Sequence, residues 1–93
     1  MGQVNQAMEF AARIDISEII ELKACLAALP INSPQQVICA SRVTHSDSAS
    51  YQLLYAYMQF LQTQDSTLVI SQPSEVFTAH AKMLGFDSYF NYT

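Results

Sequence analysis

A chain of 93 residues builds one domain around one core. About half of it is apolar (51%) and only 13% is charged, against about a quarter in an ordinary globular protein, so it folds with part of its surface uncharged. The net charge of −4, with Arg13, Lys23, Arg42 and Lys82 scattered singly, lacks the basic footprint that a phosphate backbone needs and argues against a nucleic-acid partner.

Met8 to Ile14 is short, apolar-biased and bounded by polar residues, as a first strand with Arg13 near its exit would be. Ser17 offers an N-cap to a helix whose Ile19, Leu22, Leu26 and Leu29 recur at helical spacing until Pro30 ends it. Ile31-Asn32-Ser33-Pro34 reads as a loop and Val37-Ile38-Cys39-Ala40 as a buried strand. The cluster Ser46-Asp47-Ser48 falls where that strand hands over to a second helix, which runs from Ser48 to about Gln62. A turn there aims hydroxyls and free backbone N–H groups at solvent, and Asp47 or Ser46 accepts a hydrogen bond from the first helical turn as N-cap. Negative charge at that end of the helix dipole is stabilised.

Thr67-Leu68-Val69-Ile70 is β-branched and unbroken, as a central strand buried on both faces would be. Ser71-Gln72-Pro73-Ser74-Glu75 opens a third helix with proline at or near its first position, Val76, Phe77, Met83 and Leu84 on its buried side, and Gly85 as C-cap. Phe86 to Phe90 adds a short last strand. Strands alternating with helices predict an α/β class and a single domain: an approximately four-stranded sheet, mixed or mostly parallel, with crossover helices.

Cys25 and Cys39 read as two small buried hydrophobes in a reducing compartment, with a disulfide as the minority reading. No stretch approaches a membrane span, the N-terminus lacks the charged-then-apolar pattern of a signal peptide, and Gln6 stands where a myristoylation signal wants Ser or Thr. The expectation is a cytoplasmic protein without direct membrane insertion.

From Ser48 to Gln64 no residue is charged. Leu54, Tyr55, Met58 and Leu61 make one stripe, while Tyr51, Leu53, Tyr57 and Phe60 spread apolar and aromatic character around much of the rest. A helix on a sheet buries one face, so the other shows tyrosine, methionine and glutamine to water, a composition enriched at binding surfaces. Two readings stand at even odds: a wide core-facing stripe backed by neutral polar residues, or a face that docks a partner or a second copy of the chain.

The run Phe10-Ala-Ala-Arg-Ile-Asp-Ile-Ser17, then Val43-Thr-His-Ser-Asp-Ser-Ala-Ser-Tyr-Gln-Leu-Leu54, then Thr67-Leu-Val-Ile70, Pro73-Ser-Glu-Val76 and Leu84-Gly-Phe86 resembles the STAS family. That family includes anti-sigma-factor antagonists, the lipid-asymmetry transport subunit of Gram-negative bacteria and cytoplasmic tails of anion transporters. The resemblance implies a bacterial regulatory module with a mixed sheet, helices mainly on one side of it and no catalytic activity of its own. It also implies a choice of partner: a serine kinase that is also an anti-sigma factor, a phosphatase, or the ATPase of an ABC-type lipid transporter; small members of similar length and pattern are expected beside chemotaxis-type signalling genes. In the antagonist branch a serine in an Asp-Ser-Ser-Gly loop is phosphorylated, and the added charge releases the complex. Aligned on Asp47, Ser48 takes the first serine position, Ala49 falls where the phosphorylated serine belongs, and Ser50 replaces the glycine. That departure argues against a simple phosphoserine switch, although Ser48 at a helix start accepts a phosphate on electrostatic grounds. Asp-Ser-Ala is closer to the pattern of branches that look non-phosphorylated, such as the transport subunit. The chain also starts close to its first core strand, so the extra N-terminal strand of longer members is expected to be short or missing.

His45 and His80 fall on different elements without supporting cysteine or carboxylate spacing, which disfavours a metal site. Ser48, His45 and Asp47 can be assembled as a triad on paper, but near-consecutive residues seldom reach relay geometry, so a small serine hydrolase is the weak alternative. With Gly2 and Gly85 as its only glycines, the chain has no phosphate loop, and no cofactor is expected. The reading is therefore a non-enzymatic protein-binding regulator. Ser48, Ser50 and Ser46 are its candidate phosphoacceptors or polar contacts, Asp47 orders the loop, and Tyr51, Tyr55 and Gln59 belong to the contact surface.

Overall fold

The computed structural model describes residues 6–31 and 34–93. Four strands, β1 (Gln6–Glu9), β2 (Gln35–Cys39), β3 (Thr67–Ser71) and β4 (Asn91–Tyr92), alternate with three helices, α1 (Ile19–Ala28), α2 (Ser48–Thr63) and α3 (Glu75–Leu84). The sheet is parallel throughout in the order β1-β2-β3-β4, with Val37 opposite Val69 and Ile38 opposite Ile70 at its centre. The chain thus forms an α/β domain with the parallel pairing that helical crossovers require.

Each crossover advances the sheet by one neighbour, and right-handed crossovers moving in one direction leave every helix on the same face. One apolar cluster accordingly takes Leu22 and Leu26 from α1, Leu54, Met58 and Leu61 from α2, Phe77 and Ala81 from α3, and Ile38, Leu68 and Ile70 from the strands. Neither of the two observed free cysteines forms a disulfide. Among the described residues no helix is long and apolar enough to cross a membrane.

Several sequence expectations need correction. The first strand ends at Glu9 rather than Ile14: the chain bends after Phe10 and re-pairs through one parallel bridge, Arg13 with His45, while Phe10 and Ile14 both enter the core. Ser17 does not cap α1. Asp15 instead caps a 3-10 turn at Ile16–Glu18 by accepting from the Ser17 N–H, and α1 follows with no side-chain cap. Cys25 is exposed, since α1 buries only Leu22 and Leu26, whereas Cys39 is buried. On α3 the buried pair is Phe77 and Ala81, four apart; Met83 and Leu84 are exposed, and Pro73 precedes the true N-cap, Ser74.

Phe86 to Phe90 is not a strand. Phe86 and Phe90 lie 6.5 Å apart and both sit within 6.2 Å of the Tyr51 ring, a spacing that four extended residues cannot give. A 3-10 turn at Asp87–Tyr89 folds them together, and the strand forms afterwards at Asn91–Tyr92. The expected loop at 31–34 includes Asn32 and Ser33, which lie outside the described residues, as does the expectation about Gly2.

The helix ends show what fixes these lengths. Gly85 adopts φ 83°, letting Phe86 N–H reach the Ala81 carbonyl and Gly85 N–H reach Lys82, so α3 closes as its glycine promised. α2 closes in the same way without a glycine: Asp65 takes φ 57°, Ser66 N–H bonds Leu61 and Asp65 N–H bonds Gln62.

Candidate functional site

The Ser46–Ser48 corner sits beyond the C-terminal ends of β1, β2 and β3, where loops from all three meet. Thr44 and His45 N–H groups both bond the Ala12 carbonyl at 2.8 and 3.0 Å, and Ile14 N–H returns to His45, so the β1–α1 and β2–α2 loops form a short ladder. The α3 cap joins in: Ser74 Oγ donates to the Val43 carbonyl at 2.7 Å and accepts from Phe77 N–H.

Asp47 is the N-cap of α2. One carboxylate oxygen accepts from Ser50 N–H at 3.3 Å, while Ser50 Oγ donates to the Asp47 carbonyl at 2.8 Å and receives the Asp47 N–H, which completes a capping box. The other carboxylate oxygen accepts from the Ile16 N–H at 2.8 Å, 31 residues away. One side chain therefore starts the helix and ties it to the β1–α1 loop.

Ser46 faces the opposite way, toward α3. Its Oγ lies 2.7 Å from His80 Nδ1 and 2.9 Å from the Tyr51 hydroxyl, which donates to the Phe77 carbonyl at 2.9 Å. Each hydroxyl has one hydrogen. With the tyrosine hydrogen spent on Phe77, Ser46 donates to Tyr51, and His80 Nδ1–H donates to Ser46. Hydrogens thus run from the imidazole to the serine, the reverse of what a serine nucleophile and its base require. His45, an exposed loop residue, contacts Thr44 Oγ1 at 3.0 Å, and Asp47 is occupied by backbone N–H groups, so the Ser48-His45-Asp47 arrangement does not form.

The corner separates the sequence-predicted residues sharply. Ser50 and Tyr51 are both 0% exposed, which corrects the expectation that Ser50 offers a hydroxyl to a kinase and that Tyr51 anchors a partner. Tyr51 is in phase with Leu54, Met58 and Leu61, a three-four-three spacing that marks the buried seam, and its ring lies 5.2 Å from Phe77. Burial pushes its phenol up from the ordinary tyrosine range, the Ser46 hydrogen bond opposing and the Asp47 charge adding. Tyr55 is half-buried, with its ring 4.8 Å from Tyr89. Ser46 and Asp47 are half-buried and engaged. Ser48 is exposed, and its hydroxyl makes no hydrogen bond among the described residues.

Gln52, Ala56 and Gln59 continue from Ser48 along the outer ridge of α2, exposed and uncharged. Exposed apolar residues at the start of the first helix have no counterpart in the sequence reading: Ile16, whose N–H bonds Asp47, is 63% exposed, and Ile20, one turn further along the chain, is 83% exposed. Ile20 stands next to the Ile19–Leu22–Leu26 stripe but out of its phase, which was the available signal. Among the described residues no cluster of His, Cys, Asp and Glu is placed to hold a metal ion. No family model matches the chain, and no curated protein matches it.

Proposed function

We propose that this chain is a regulatory docking domain, without catalysis of its own, that binds a protein partner through the Ser48 corner and the outer ridge of α2. The observation that carries the reading is the exposed Ser48, free at the first residue of a capped helix whose cap, Asp47, also holds the backbone of exposed Ile16. In parallel sheets a ligand crevice opens where the strand order reverses. Here the order never reverses, so the sheet has no such switch point, which favours a protein surface over a cofactor as the reading of this edge.

The protein is acidic overall, so the fitting partner presents an apolar patch bordered by basic residues. Of the three serines, Ser48 is the one a kinase reaches. A phosphate there meets the positive end of α2 and is stabilised by about 0.3–1 kcal/mol, while its charge alters the docking edge. This agrees with the resemblance to anti-sigma-factor antagonists, with the acceptor one residue earlier than in their loop.

Copurification from the source cells tests the proposal, comparing the native chain with Ser48→Glu and with Gln52→Lys combined with Gln59→Glu. A discrete partner recovered with the native chain is lost with both variants, whose circular dichroism stays native. Equal recovery with all three chains refutes the proposal.

A further inference from the structure

Away from the serine corner, α1 and α2 do not close against each other along their length. A recess of about 360 Å3 lies between them, within the size range of small-molecule sites. It exists because both helices place an alanine toward the gap, Ala27 and Ala56, while Leu53, Tyr57 and the half-exposed Phe60 form its walls. Its lining is aliphatic and aromatic except for one charged side chain, Lys23, which makes no ion pair among the described residues.

A second group supplies polarity. Tyr57 is 8% exposed and lines the recess, and its hydroxyl accepts from Gln36 Nε2 at 3.2 Å, which also bonds the Pro30 carbonyl. Its own hydrogen has no acceptor among the described residues. A buried phenol normally spends that hydrogen. Among the described residues the recess therefore combines an apolar body with one cation, Lys23, and no carboxylate in its lining.

We propose that this recess binds a small amphipathic anion, a molecule with an aliphatic or planar apolar body and a single carboxylate. The apolar part replaces water between Ala27, Leu53, Ala56 and Phe60, and the carboxylate pairs with the Lys23 ammonium. An uncharged analogue loses the ion pair and a cationic analogue meets like charge. The recess shares Ala56 with the outer ridge of α2, but it is argued from its own lining and its test does not involve a protein partner.

Decanoate, decanol and decylamine serve as probes for the full chain, below their aggregation limits, by amide NMR titration and calorimetry. Decanoate produces saturable shifts centred on Ala27, Leu53, Ala56 and Tyr57 and binds more tightly than decylamine. Lys23→Glu, a surface change, weakens decanoate by roughly two- to fivefold, the worth of an exposed ion pair, and reverses the order of the two charged probes. Ala56→Trp fills the gap and abolishes binding of all three, with its amide spectrum checked for native folding; if that variant fails to fold, the Lys23→Glu comparison decides alone. Absence of saturable shifts in the recess, shifts elsewhere, or equal binding of decanoate and decylamine overturns the proposal.

Discussion

Asp47 and Ser48 are adjacent in sequence and opposite in consequence. Replacing Asp47 with alanine removes the side-chain acceptor of a capping box, worth about 1 kcal/mol at a typical helix start. It also strips the 2.8 Å bond from the Ile16 N–H, a charge-assisted contact worth about 1.5 kcal/mol or somewhat more. That bond is exposed, so solvent screens part of it and water satisfies part of the freed N–H, and the combined loss is about 2–2.5 kcal/mol. A domain of this size is stable by something on the order of 5–14 kcal/mol, and each kcal/mol shifts its melting point by roughly 4–8 °C. Asp47→Ala thus melts roughly 8–20 °C early, while Ser48→Ala, which removes a hydroxyl bonded to nothing described, stays within about 0.5 kcal/mol of the native chain. Urea unfolding followed by far-ultraviolet circular dichroism measures both. If Asp47→Ala is as stable as the native chain, or if Ser48→Ala loses as much as Asp47→Ala, the account of the corner as a rigid platform with one free hydroxyl is wrong.

Tyr51→Phe keeps the core volume and removes one hydroxyl that bridges Ser46 and the Phe77 carbonyl, so it costs about 1–2 kcal/mol and leaves partner binding within twofold. Because burial raises the folded-state pKa of Tyr51 above that of the unfolded chain, the native protein holds the phenolic proton longer. Its contribution is complete below about pH 10 and is lost as pH rises beyond that. Tyr92, whose phenol burial and the Asp87 hydrogen bond also push up, adds to the same alkaline loss, so Tyr51→Phe reduces the steepness of the stability decline above pH 10 without abolishing it; an unchanged slope refutes the assignment. Exposed Cys25 reacts with a thiol reagent within the mixing time, while buried Cys39 reacts only on unfolding; simultaneous labelling of both would contradict the placement of α1 and β2.

Much of the framework could be read along the chain because it depends on local chemistry. The uncharged helix begins at Ser48 as its polar cluster indicates and ends at Thr63, since Asp47 and the apolar spacing behind it are local signals. Gly85 closes α3 because glycine is the residue that adopts positive φ most readily, whereas Asp65 closes α2 in the same conformation with no comparable mark in the sequence. Aromatic content alone could not divide α2 correctly: Tyr51, Tyr55 and Phe60 look alike as surface anchors, yet one is fully buried, one is wedged against Tyr89, and one is half exposed.

Amino-acid order by itself determined the alternation of strands and helices, the parallel pairing that such crossovers demand, and the capping aspartate ahead of a neutral helix. The tertiary structure alone decided which serine is free. Ser46 is engaged by His80 and Asp47 by Ile16, partners 34 and 31 residues away, because packing three helices on one sheet face brings three loops to the same edge. Contacts of that range leave no periodicity in a sequence; they arise only when the core has set the distances between elements.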